Sequence, residues 1–152
     1  MISIIEGDLF DFVKSSEDKT IIIAHGCNAQ GKMRTGFAKV LRDKNENVFK
    51  TYKNSGHKLG TASFYELEPN VFVANCVTQE FYGYDGKKYT SYDAVHDSFT
   101  ELQKFIDQFD TEVLLYFPKL GAVLGGGNNN VIKTIIDEVI DDKVTKIQFI
   151  KE

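Results

Sequence analysis

Apolar positions along this chain fall into two kinds of run that mostly alternate: short β-branched stretches and longer stretches with helical spacing. Residues 2–6 read as a first strand, after which Gly7-Asp8-Leu9 turns into a short helical segment ending at Val13. Thr20-Ile21-Ile22-Ile23-Ala24-His25 is β-branched and apolar, the composition of a buried strand. Residues 36–45 predict a helix with Phe37, Val40 and Leu41 on one face, and a second helical piece over 48–53 is stopped by Gly56. Residues 60–66 and 71–78 read as strands joined by the turn Glu68-Pro69-Asn70. A long helix over 91–109 turns Val95, Phe99, Leu102, Phe105 and Ile106 inward. A strand over 113–117, a helix over 131–140 and a strand over 146–150 complete the pattern. Strands alternating with helices predict an α/β fold, a mixed sheet covered by helices on both faces. Ligands of such sheets sit at the carboxyl ends of strands, where His25 and the segment after Phe117 are expected.

The 152 residues suit one domain, 1–152, with a sizeable core, and no internal repeat or linker divides them. A net charge of −4 argues against a general electrostatic grip on nucleic acid. It leaves room for a small anion held by backbone amides. Cys27 and Cys76 are too few for a disulfide framework, and no C-x-x-C points to zinc. No metal or other cofactor is expected. The apolar start Met1-Ile2-Ser3-Ile4-Ile5 is interrupted by Glu6 and Asp8, so no signal peptide, membrane span or membrane partner is expected, and the location is read as cytoplasmic. The sequence sets no oligomeric state.

The candidate chemistry is concentrated in two glycine-spaced segments. Residues 121–130 read G-A-V-L-G-G-G-N-N-N and hold four of the 12 glycines. A strand, a glycine-rich loop and a helix form an anion trap: the loop can turn N–H groups toward a ligand, and the helix N-terminus adds partial positive charge. A phosphate or diphosphate is the expected occupant. A triphosphatase loop is excluded, because Gly127 and Asn128 stand where lysine and Ser/Thr are required. A dinucleotide fingerprint is broken by Val123 and would open the chain's first βαβ unit. The plain alternative is a surface loop ending in an asparagine helix cap. The second segment, residues 24–38, again carries a buried strand into a glycine-spaced loop and a helix. Two such loops side by side could grip a two-phosphate ligand.

These segments resemble the macro domain family, ADP-ribose-binding α/β modules. Gly7-Asp8-Leu9 is similar to the family's early G-D-[IL] motif. His25-Gly26-Cys27-Asn28 with residues 31–38 is similar to its first ligand loop, and residues 118–127 to its phosphate-binding loop. The motifs span nearly the whole chain in the expected order. The resemblance implies a three-layer α/β/α fold with a mixed central sheet of six strands. The His-x-Cys-Asn form is nearest the branch holding ADP-ribose 1''-phosphate phosphatases and the terminal ADP-ribose protein glycohydrolase. It therefore implies ADP-ribose or a derivative as ligand, and hydrolysis of ADP-ribose 1''-phosphate or of a terminal ADP-ribose linkage. A non-catalytic reader or scavenger of ADP-ribose is the alternative.

Residue by residue, the resemblance gives Asp8 the adenine amino group, with Leu9 beside it and Phe149 or Ile150 over the base. It gives Asn28 the distal ribose, borders the ligand with Gly36, and gives Gly121, Ala122, Val123, Leu124, Gly125 and Gly126 the diphosphate. His25 and Asn28 are the candidate catalytic pair, His25 as acid or base because imidazole titrates near neutrality. The plainer readings are a backbone-bonded histidine for His25, a turn-former for Asn28 and a helix N-cap for Asp8. Cys27 reads as a packing thiol, and Arg34 pairs with phosphate or faces solvent. The glycohydrolase branch has a lysine where Gln79 stands and a loop aspartate where 125–130 carry no acid. Residues 79–89 suit a flap, with Tyr82, Tyr84 or Asp85 toward the distal ribose, or else a plain connection. His57 and His96 read as bystanders.

Overall fold

The computed structural model describes residues 1–80, 90–120 and 127–151. Among these, six strands and four α-helices follow in the order β1 (Ile2–Glu6), β2 (Lys19–Asn28), α1 (Gly36–Lys44), α2 (Glu46–Asn54), β3 (Ala62–Glu68), β4 (Val71–Gln79), α3 (Tyr92–Ile106), β5 (Glu112–Phe117), α4 (Asn129–Val139) and β6 (Thr145–Ile150). A 3₁₀ turn, Leu9–Phe12, links β1 to β2. The strands form one sheet in the order β1-β6-β5-β2-β4-β3. Every neighbouring pair is parallel except β3 with β4. The carboxyl ends of β1, β6, β5, β2 and β4 therefore lie on one edge of the sheet.

Side-chain alternation divides the core in two. Ile21, Ile23 and Cys27 of β2 pack with Leu41, Val48 and Tyr52 on the α1–α2 side. Ile22 and Ala24 pack with Val95, Phe99, Leu102, Ile132 and Ile136 on the α3–α4 side. This is the expected α/β/α sandwich. No helix among the described residues is long and apolar enough to cross a membrane.

Element ends differ from expectation in ways that bear on the site. β2 does not stop at His25 but runs three residues further. His25, Gly26 and Cys27 continue the ladder against Asn75, Cys76 and Val77 of β4, and a bulge falls between Cys27 and Asn28. The polar composition of 25–28 hid this continuation. Gly26 permits it: a Cβ there would lie 2.8 Å from the Thr78 hydroxyl. Helix α2 starts at Glu46, because Asn45 Oδ1 accepts the Asn47 amide at 2.9 Å and so caps it.

Candidate functional site

A cleft of about 350 Å³ opens on the carboxyl edge beside the ends of β1, β5 and β6. Its floor and walls include Asp8, Leu9, Phe10, Phe37, Lys119 and Ile150. Asp8 is at the mouth because Gly7 N–H donates to the Ile150 carbonyl at 3.0 Å, which ties the turn after β1 to the end of β6. Asp8 Oδ1 accepts the Phe10 amide at 3.0 Å, and Oδ2 accepts Lys151 Nζ at 3.1 Å. The Phe10 amide and then Lys151 hold its carboxyl below the usual aspartate value. Asp8 is thus an N-cap as well as a cleft carboxylate. Leu9 is buried beneath it. Phe149 and Ile150 both line the cleft. Phe149 is locked edge-on against Tyr116, ring centroids 5.0 Å apart, while Ile150 is half-buried. Phe10 and Phe37 stack at 5.5 Å to make an aromatic wall.

The first loop leaves β2 at Asn28, which is buried. Its Nδ2 donates to the Lys32 carbonyl at 2.9 Å, and its Oδ1 accepts the amides of Gln30 at 3.0 Å and Lys32 at 3.3 Å. The side chain closes the turn that it begins, the behaviour of an Asx turn. The bond to the Lys32 carbonyl uses one of its two Nδ2 hydrogens. Gly36 opens α1 at φ 64°, and Arg34 is exposed.

His25 sits inside β2 with 1% of its surface exposed, not at the strand end expected. Its Nε2 lies 2.6 Å from Asn75 Oδ1. The Asn75 Nδ2 donates to the Val48 carbonyl at 3.4 Å and to Ser63 Oγ at 3.3 Å, so its oxygen faces His25 and the ring carries its proton on Nε2. Burial pushes the imidazole down to about 4, against the opposing effect of the Asn75 bond. Cys27 Sγ, 3.6 Å from Nε2, is buried and its thiol is pushed up by that burial. Cys76, on the opposite side of the sheet, is likewise pushed up to about 12 by burial. Neither thiol is poised as a thiolate.

Gly121, Ala122, Val123, Leu124, Gly125 and Gly126 lie outside the described residues, as do Tyr82, Tyr84 and Asp85. Their anchors are described. β2 and β5 are parallel neighbours from Lys19↔Glu112 to Ile23↔Tyr116, and a Cβ on Gly26 would lie 3.9 Å from Leu120. The first loop and the entry to the second therefore share one edge. At the exit, Asn128 Oδ1 accepts the Asn130 amide at 2.9 Å and the Val131 amide at 3.3 Å, capping α4. Gln79 and Thr90 form an antiparallel bridge at the root of the segment between them. The Gln79 carbonyl accepts the Ala29 amide at 2.8 Å, joining that root to the first loop. Among the described residues no group of three His, Cys, Asp or Glu side chains is placed to hold a metal.

Sequence reasoning missed Tyr52, whose hydroxyl reaches into the first loop, and Lys151, which pairs with Asp8. It also misread His57. The His57 Nδ1 lies 2.8 Å from the Ala29 carbonyl, so His57 supports the first loop rather than standing by. Only distance along the chain hid these residues; a buried tyrosine at helical spacing from Val48 was the available signal.

The sheet order and the two helical layers define an α/β/α domain with a cleft on the carboxyl edge of its sheet. No protein-family model matches the sequence. Over 140 residues, 83% of this chain and 85% of the relative, the sequence is 31% identical to an ADP-ribose 1''-phosphate phosphatase of Candida albicans. A Bacteroides thetaiotaomicron protein of unknown function superposes with a TM-score of 0.81 at 26% identity, over 100% of this chain and 98% of that one. A macrodomain protein from Streptomyces coelicolor superposes with a TM-score of 0.75 at 21% identity, over 100% and 99%. The chain belongs to the macro domain family.

Proposed function

We propose that this macro domain binds ADP-ribose and hydrolyses a bond at its distal ribose, in ADP-ribose 1''-phosphate or in a terminal ADP-ribose linkage. The observation that carries the reading is the cleft headed by Asp8, in a chain 31% identical to an ADP-ribose 1''-phosphate phosphatase. The Asp8 carboxylate accepts the adenine amino group, with Leu9 and the Phe10–Phe37 wall against the base. Amides of residues 121–126 take the diphosphate, which lets an acidic protein hold an anion without a cationic cradle. Gly36 borders the ligand, and Asn28 orients the distal ribose. Water is the second substrate, and the products from ADP-ribose 1''-phosphate are ADP-ribose and inorganic phosphate. Orientation and hydrogen bonding to the developing charge supply the rate. In this reading His25 acts through β2 rather than on the ligand, because its donor is taken and its ring is enclosed.

Phosphate release from ADP-ribose 1''-phosphate tests the reading. Wild type should turn over and Asn28→Ala should be slowed; an unchanged rate removes Asn28 from the mechanism. A second reading, a reader that binds without turnover, is favoured by Gln79 in place of a lysine and by the burial of His25. Calorimetry with ADP-ribose selects it if binding is tight while no phosphate is released.

A further inference from the structure

The C-terminal part of α2 and the turn after it grip the first loop from below. Tyr52 is 0% exposed, anchored with Val48, Leu41 and Ile23 in the core. Its hydroxyl donates to the Asn28 carbonyl, lies 3.0 Å from Asn28 Oδ1, and accepts the Lys32 amide at 3.1 Å. The phenol thus bonds both ends of the 28–32 turn at once. Two neighbours add to the grip. His57 holds the Ala29 carbonyl and packs against Tyr52 with ring centroids 5.6 Å apart. Lys53 Nζ reaches the Gly31 carbonyl at 3.5 Å.

Among the described residues, the Asn28 side-chain amide bonds within the turn and to Tyr52, so the turn and the amide would move together as a unit. The Tyr52 hydroxyl ties that unit to α2 at both of its ends, alongside the Ala29 amide on the Gln79 carbonyl and the bonds from His57 and Lys53. We propose that Tyr52 is a positioning residue for the ribose end of the site: its hydroxyl fixes the 28–32 turn against α2, and thereby aims the remaining Nδ2 hydrogen of Asn28. The inference rests on the ADP-ribose reading. It makes α2, which does not line the cleft, part of what sets affinity.

Tyr52→Phe tests it, since the ring still fills the core. Tyr65→Phe, which removes a hydroxyl bonded to Asn45 and Asn47 at the other end of α2, is the control. The measurements are ADP-ribose calorimetry, the split between KM and kcat, melting temperature and amide exchange at Gln30 and Lys32. Tyr52→Phe should exchange faster at both amides and bind ADP-ribose about tenfold more weakly, the scale of one lost buried hydrogen bond. Tyr65→Phe should change neither. A lower melting temperature with wild-type exchange and affinity overturns the inference, as does faster exchange with wild-type affinity. If Tyr52→Phe does not fold, amide exchange of the wild type carries the test: exchange at Gln30 and Lys32 as fast as at exposed loop amides overturns the inference. Failure of the wild type to bind ADP-ribose overturns the ADP-ribose reading itself, seen before any variant is made.

Discussion

His25 carries the clearest acid–base consequence of any single residue. An unfolded imidazole takes up its proton near 6.5, whereas burial delays protonation of the folded one to about 4. Between those values the unfolded chain binds more protons, so stability is fully present above the upper value and falls as the solution is acidified toward the lower one. The loss is on the order of 3 kcal/mol at most. Urea melts at pH 7 and pH 4.5 should show this fall in wild type and a smaller one in His25→Gln. Asp8 and Asp137, both held below the usual carboxylate value, contribute a separate loss in a more acid range. Asp8 also lets stability be separated from binding. Asparagine caps helices as well as aspartate does, and an exposed ion pair such as Asp8–Lys151 contributes less than about 1 kcal/mol. Asp8→Asn should therefore melt near wild type while ADP-ribose affinity falls about tenfold or more, through loss of a charged acceptor. A parallel fall in both would make Asp8 a cap and nothing else.

Elements were legible where one period dominated. The six strands and four helices read from residues such as Ile21–Ile23 and Val95–Phe99–Leu102 all form, because each buries one face or two against a neighbour. The end of β2 was not legible. His25 to Asn28 carry little apolar signal, and they stay in the sheet because β4 pairs with them on one side. Of the candidate site, Asp8 and Asn28 could be picked out by motif. Their partners could not: Lys151 is 143 residues from Asp8, and Tyr52 is 24 from Asn28. The junction of α2 with the first loop supplies its own test. Gly31 has φ +76°, and a Cβ there would sit 2.9 Å from His57 Nε2 and 2.6 Å from Lys53 Nζ. Gly31→Ala should cost about 1–3 kcal/mol of stability, since both the backbone and His57 must shift. Its ADP-ribose affinity should fall with it; a thermal melt at wild-type temperature would show that the turn adapts freely.

At the scale of the whole molecule, five parallel carboxyl ends on one edge gather the cleft, the first loop and the entry to the second. A ligand there binds the folded chain alone and stabilises it by mass action. ADP-ribose at a hundred times its Kd should add roughly 2.7 kcal/mol. AMP, which lacks the diphosphate, should add less at equal concentration, and equal shifts would point to a nucleoside monophosphate pocket instead. The Gln79–Thr90 bridge reaches further than the ligand. With both gateposts already joined, and Ser91 N–H donating to the Thr78 carbonyl at 2.8 Å, the cost of closing any connecting stretch grows only slowly with its length. Lengthening the stretch between these gateposts should therefore leave the melting temperature near that of wild type, which a thermal melt of an insertion variant checks.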